Sequence, residues 1–191
     1  MSERIPRSPE LMSRHDTGLL VVDVQDRLVP AIHHHARVVW NVRRLLDGAK
    51  ALGIPVVATE QYPKGLGPTV PELRDLLPAV STKLSFSCGA CEDLLLPFRE
   101  TGRFKVLVVG IEAHVCVQQT VLDLLADGYR VFVAADAVGS RFELDYQLAL
   151  RRMDSAGVTL TTTEAALFEW CEVAGTSEFK VISALARETG P

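Results

Sequence analysis

No apolar run in this chain approaches the ~18 residues that a membrane span requires, so length alone excludes a membrane helix. There is no basic excess either, since 20 Lys and Arg stand against 24 Asp and Glu, a formal net charge of −4. A chain so balanced offers no electrostatic footprint to a polyanion, and no nucleic-acid partner is expected. Cysteines number only four in 191 residues, too few for a disulfide scaffold. The opening MSERIPRSPELMSRHDT lacks the apolar core of a secretory leader. It reads as an N-terminal arm, residues 1–15, ahead of one domain over 16–191. Together with the few cysteines, it points to a reducing, cytoplasmic setting. Repeats and low-complexity segments are also lacking. What remains is 48% hydrophobic and 23% charged, ordinary values for one globular domain with a sizeable core.

Short β-branched runs alternate with amphipathic stretches. TGLLVVDV (17–24) is apolar without alternation, as a strand buried on both faces should be. Over 36–52 the period becomes helical. Val38, Val42, Leu45, Leu46 and Ala49 form one face, Arg43, Arg44, Asp47 and Lys50 the other, and Gly53 is the stop. IPVVATE (54–60) is a second strand, and QYPKGLGPT after it a loop. Thr69–Leu77 reads as a short helix with a capping box, Thr69 as N-cap and Glu72 three residues on. A weak strand near 79–84 precedes a helix over about 90–100. RFKVLVVGI (103–111) is the strongest strand, followed by a helix over 114–126, a strand at 130–136 and a helix ending at Gly157. A last strand at 158–164 leads into a helix capped by Thr162 or Thr163, and a final helix lies near 177–188. This order predicts an α/β fold of three layers, α/β/α, around a six-stranded, mainly parallel sheet of Rossmann-like type.

In such folds ligands bind beyond the carboxyl ends of the strands. Asp23 ends the first strand, Glu60 to Tyr62 leave the second, Lys83 ends the third, and Gly110 to Cys116 follow the fourth. Each has a bland reading alone: Asp23 as a loop hydrogen bonder, Lys83 as a solvated edge lysine, Cys116 as a core residue. Together they bring an acid, a base and a thiol to one crest. An ammonium and a helix N-terminus beside Cys116 would acidify its thiol. A carboxylate would take the thiol proton and return it to a leaving group. Position on the crest makes Gln25, Gln61, Tyr62 and Phe86 the residues expected to line a small-molecule substrate pocket.

LLVVDVQ, TKLSFS and GIEAHVCVQQT, in that order and spacing, resemble the signature segments of the isochorismatase-like (cysteine hydrolase) superfamily. The resemblance spans about 16–167. It implies an Asp–Lys–Cys triad of Asp23, Lys83 and Cys116. It also implies an oxyanion hole of the Glu112 and Cys116 backbone N–H groups, after a non-proline cis peptide at Ile111–Glu112. The expected activity is hydrolysis of a small amide or related C–N bond through a Cys thioester. The metal-binding nicotinamidases of that superfamily carry Asp-x-His after the second strand. Here TEQYPKGLG stands in its place, so neither metal nor other cofactor is expected. TEQYPKGLGPTVPEL is more similar to the isochorismatase-domain-containing branch. True isochorismatases lack the nucleophilic cysteine, so Cys116 argues against vinyl-ether hydrolysis. Ala113 stands where many relatives have threonine.

Two rival functions have their own sequence features. SCGAC carries a C-x-x-C, Cys88 and Cys91, the pattern of a thiol–disulfide redox protein. Its place after the third strand, rather than at the first βα junction, counts against that. Apolar late helices such as EAALFEWCEV point to contacts between subunits, hence to a homo-oligomer. A non-catalytic oligomeric interaction protein on the same fold is the second rival. Adjacent histidines at 33–35 do not share a helical face and are read as a solvated connection rather than a metal site.

Overall fold

A computed structural model describes residues 6–191. Six strands form one sheet in the order β3–β2–β1–β4–β5–β6: β1 Thr17–Val22, β2 Val56–Gln61, β3 Val80–Lys83, β4 Lys105–Ile111, β5 Arg130–Gly139 and β6 Thr159–Thr161. Every pairing is parallel. The central strands β1 and β4 are buried along their whole length, which is why their sequences show no alternation. One face of the sheet packs on α1 (His35–Leu52), α7 (Thr163–Cys171) and α8 (Ser177–Ala186), with Leu45, Phe132, Leu167 and Trp170 in that core. The other face holds a second core of Phe98, Val108, Val121 and Met153 under α4 (Leu96–Glu100), α5 (Gln118–Ala126) and α6 (Glu143–Ser155). The result is the three-layer α/β/α arrangement expected from the alternation of elements.

Local chemistry departs from the sequence reading at several points. QYPKGLGPT is not all loop, since Pro63–Leu66 makes one helical turn, α2. The next helix, α3, covers only Pro71–Arg74 and has no capping box. Thr69 is engaged elsewhere: its N–H (2.6 Å) and hydroxyl (2.8 Å) both donate to Oε1 of Glu60 at the end of β2. Segment 90–100 is helical only at its end, after a 3₁₀ turn over Cys88–Ala90. Arg44 is buried, not on an outer face: its Nε donates to the Leu185 carbonyl and its Nη1 to Asn41. Residues 6–15 lie against α7, with Met12 in the core and its N–H donating to Glu169. Lys105, also buried, ties this segment down through the Leu11 carbonyl (2.6 Å) and Asp16 (2.8 Å). Among the described residues no helix is long and apolar enough to cross a membrane.

The close pairing of β1 and β4 at their carboxyl ends depends on one glycine. Gly110 has φ +113°, and a Cβ there would lie 2.1 Å from the Val22 carbonyl oxygen. Only a residue without a side chain lets the two strand ends, one bearing Asp23 and the other Cys116, close to this distance.

Candidate active site

Asp23 is the first residue past β1 and adopts φ +51°, a left-handed conformation that aspartate tolerates better than most residues. Its side chain is completely buried. The Oδ2 atom accepts from Lys83 Nζ at 2.7 Å and Oδ1 from the Thr59 hydroxyl at 2.8 Å. Lys83 ends β3, an edge strand, yet its side chain is 1% exposed. Three further acceptors surround its ammonium: Gln61 Oε1 at 2.7 Å, the Phe86 carbonyl at 2.9 Å and the Ser85 carbonyl at 3.3 Å. Burial pulls the Lys83 pKa down, but the Asp23 charge and hydrogen bond outweigh it, and the net direction is upward. Lys83 is therefore a cation at neutral pH. A buried pair so fully hydrogen-bonded meets the condition under which buried charge is tolerated.

Cys116 completes the cluster from a π turn, Ala113–Val117, between β4 and α5. An ordinary α-helix over 114–126 was the expectation. Instead the Glu112 carbonyl accepts from Val117 five residues on, and such π bulges recur at functional sites. The Ile111–Glu112 peptide bond preceding the turn is cis. Cys116 is 6% exposed, close enough to Asp23 and Lys83 for both charges to act on its thiol. The expected acidification of this thiol does not occur. Burial first, then the Asp23 charge, push the Cys116 pKa up to about 12, and Lys83 offsets them only in part. At neutral pH Lys83 is thus an ammonium and Cys116 a neutral thiol.

The pocket residues expected from crest position divide into two kinds. Gln25 is fully buried, with its amide committed to backbone: Nε2 donates to the Gln61 (2.9 Å) and Gly67 (2.6 Å) carbonyls, and Oε1 accepts from the Gln61 N–H (2.7 Å). Gln61 donates to the Leu84 carbonyl at 2.7 Å and accepts from Lys83. Both braces are spent on holding the α2 loop and Lys83, which leaves Gln25 no group for a ligand. Tyr62 and Phe86, by contrast, are about half exposed, at 50% and 53%. Tyr62 lines an open cleft of about 320 Å³ with Lys64, Lys83 and Leu84.

Sequence reasoning missed Thr59, which faces Asp23 because β1 and β2 pair Val22 with Thr59. Cys88 lies after the third strand, at the start of a helical turn, as the sequence suggests. That residue is 3% exposed and its sulfur lies 3.5 Å from the Thr59 hydroxyl. Burial, then the Asp23 charge, push its pKa up to about 11, and Cys91 is shifted upward by burial as well. No disulfide joins them. A cleft of about 410 Å³ opens behind Cys88, lined by Cys91, Arg99, Asp123 and Asp127, and does not reach Asp23 or Cys116. His114, next to the site, is held by the Ser140 hydroxyl at 3.0 Å. Among the described residues no group of three or more His, Cys, Asp or Glu side chains is placed to hold a metal ion.

Fold and cluster define a class: a parallel α/β sheet with an acid–lysine–thiol group buried at the carboxyl edge of its central strands. Known proteins make the assignment more particular. Residues 17–165 match the family described as the isochorismatase domain. The chain is 39% identical over 182 residues to isochorismatase domain-containing protein 2 of Danio rerio, covering 94% of this chain and 91% of that one. A Caenorhabditis elegans structure described as MAR1 ribonuclease superimposes with TM-score 0.87 at 37% identity, covering 95% and 94% of the two chains. The Escherichia coli ycaC gene product, described as an octameric hydrolase of unknown specificity, gives TM-score 0.85 at 25% identity over 95% and 93%. The chain belongs to the isochorismatase family.

Proposed function

We propose that this chain is a cysteine hydrolase that cleaves a small amide or related C–N bond through a thioester on Cys116. The observation that carries this reading is the convergence of three buried side chains, the Asp23 carboxylate held by Lys83 at 2.7 Å and the Cys116 thiol within reach of both charges. With its pKa near 12 the thiol is no standing nucleophile. A base must remove its proton during attack, and Asp23 is in place to do so. Sγ bonds to the carbonyl carbon as its proton passes to Asp23, and the carbonyl becomes an oxyanion. The backbone N–H groups of Glu112 and Cys116 stabilise that oxyanion. The C–N bond then breaks as Asp23 returns the proton to nitrogen and the amine leaves. Water attacks the thioester, giving a proton to Asp23, and the S–C bond breaks as that proton returns to sulfur. Lys83 keeps Asp23 oriented throughout and balances its charge whenever the proton is away. Tyr62 and Phe86 meet the substrate at the rim, with Gln25 and Gln61 as supports behind them.

The name of the C. elegans neighbour speaks of RNA, but a net charge of −4 supports a small substrate over a polyanion. The raised pKa values of Cys88 and Cys91 do not favour a disulfide-exchange role, which needs an acidified attacking thiol. Self-association is supported by the octameric neighbour and by Leu84, Phe142 and Leu144, exposed at 76%, 65% and 66%. The test is mass spectrometry of the protein incubated with a panel of small amides. An acyl adduct on the peptide carrying Cys116, absent from Cys116→Ser, is the expected result. Turnover of an amide by Cys116→Ala at the wild-type rate would overturn the reading.

A further inference from the structure

We propose that Thr59 is a positioning residue for the reaction: its hydroxyl fixes the orientation of Asp23, the base that activates Cys116, by a hydrogen bond to one carboxylate oxygen. The inference rests on the hydrolase reading above and adds to it a residue outside the acid–lysine–thiol group.

Thr59 sits in the middle of β2 and is 2% exposed. It holds Asp23 twice. Its carbonyl accepts the Asp23 N–H at 3.1 Å, extending the β1–β2 ladder one residue past the strand. Its hydroxyl donates to Asp23 Oδ1 at 2.8 Å. A hydroxyl has one proton and two lone pairs. With that proton given to Asp23, the 3.5 Å contact between Thr59 Oγ1 and Cys88 Sγ leaves sulfur as the donor. Cys88 is itself fixed, its N–H donating to the Thr120 hydroxyl at 2.9 Å. A directed chain results, from the Cys88 S–H through the Thr59 O–H to Asp23. The Cys88 pKa, pushed up to about 11 by burial, keeps its proton in place at neutral pH.

The charged and titratable groups facing Asp23 come from three directions. Lys83 stands on β3, Cys116 on the π turn and Cys88 on the turn after β3, and the β2 neighbour, Thr59, is uncharged. Lys83 occupies Oδ2 and Thr59 occupies Oδ1. Without Thr59 the carboxylate would be held at one oxygen and free to turn about its Cβ–Cγ bond away from Cys116. A hydrogen bond to the charged form also favours that form, so its loss favours protonated Asp23. The protons of Asp23 and Cys116 belong to the pair. Reactivity of Cys116 falls on the acid side once the pair takes up its second proton, and losing the Thr59 hydroxyl moves that fall to higher pH.

The experiment is the rate of Cys116 alkylation by iodoacetamide as a function of pH, read by mass spectrometry on the intact full-length protein. Thr59→Val, which keeps the shape and removes the hydroxyl, should move the acid limb up by about one pH unit. The rate on the high-pH side should be little changed. Thr59→Ser, which keeps the O–H, should return the limb to the wild-type position. A purely structural role for Thr59 would lower the rate evenly or reduce solubility, without moving the limb. Should the valine variant not fold, Thr59→Cys, a weaker donor of similar shape, is expected to move the limb the same way by less. A limb that coincides with wild type in either variant overturns the proposal, as does a serine variant shifted as far as valine. Alkylation needs no substrate, so failure to find an acyl adduct would remove the hydrolase reading while leaving the role of Thr59 to be decided by this profile.

Discussion

Replacing Lys83 by methionine tests the physical core of the site. The substitution keeps most of the side-chain volume but removes an ammonium that is 1% exposed. It leaves the Asp23 carboxylate, 0% exposed, without its counter-charge. Gln61 Oε1 and the Phe86 carbonyl also lose their donor. Breaking a buried pair from one side costs about 3–5 kcal/mol, because the surviving charge is uncompensated. In urea that corresponds to a midpoint lower by about 2 M for a slope of about 2 kcal/mol/M. Asparagine at position 23 removes the orphaned charge and tolerates the left-handed backbone there. The double variant Asp23→Asn/Lys83→Met should therefore recover about 2–3 kcal/mol of what the single substitutions lose when added. The sign against pH is set by Lys83, whose pKa is raised above its ordinary 10.5. Its contribution is fully present below that value and lost as pH rises through the folded one. The gap between wild type and the methionine variant should thus hold from neutral pH to about 10.5 and close above it. A cost below about 1 kcal/mol, the range of a surface pair, or strict additivity of the two substitutions, would refute the reasoning. Cys116 should remain unreactive toward amides in the recovered double variant, which separates the stability of the pair from its chemistry.

Other outcomes are expected from neighbouring features. Gly110→Ala places a Cβ 2.1 Å from the Val22 carbonyl oxygen at φ +113°; it should cost about 3 kcal/mol or more, or prevent folding, and a urea midpoint near wild type would refute the close approach. The Asp16 pKa is raised by burial but lowered further by its bonds from Lys105, Thr17 and the Ser13 N–H, for a net downward direction from 3.8. Its stabilisation is present above 3.8 and lost as pH falls through the folded value, so the stability gap between wild type and Asp16→Asn should shrink below pH 3.8, and a gap equal at pH 3 and pH 7 would refute it. Gln25→Ala takes a partner from the buried Gln61 N–H and carbonyl and from the half-buried Gly67 carbonyl and should destabilise by about 2–3 kcal/mol. Tyr62→Ala and Phe86→Ala, about half exposed, should leave stability within about 0.5 kcal/mol while raising KM for any amide the protein turns over.

Much of this was legible in the sequence because it depends on periodicity and on one rule of chain direction. TGLLVV and KVLVVGI show no alternation because both faces are buried. Two adjacent central parallel strands then fix where Asp23 and Cys116 emerge, and β3 places Lys83 beside β2 on the same edge. Local signals without a tertiary constraint fared worse. Thr69 and Glu72 have the spacing of a capping box, but Glu60 from β2 reached Thr69 first, a contact no local pattern records. Arg44 looked solvated by helical spacing, yet α8 covers it and supplies the Leu185 carbonyl.

The sharper failure was electrostatic, and it bears on what kind of enzyme the site can be. Proximity of a lysine to a cysteine suggested a standing thiolate. That inference holds where water screens the carboxylate and solvates the sulfur. Here both are buried, Asp23 already takes the lysine's charge, and the same carboxylate raises the thiol. A thiolate in that place would put two anions against one cation in a dry site, so the ground state keeps the proton on sulfur. The arrangement is then useful only if the proton leaves as the bond to carbon forms, which makes the basicity and orientation of Asp23 the controlling quantities. Residues that touch Asp23 but never the substrate, Lys83 on Oδ2 and Thr59 on Oδ1, are where this site sets its reactivity. Register brings Thr59 within reach, and the left-handed backbone of Asp23 turns the carboxylate onto it. Once β1 and β2 are taken as parallel neighbours, a hydroxyl in VVATE opposite the end of LLVV lies beside the acid that follows it.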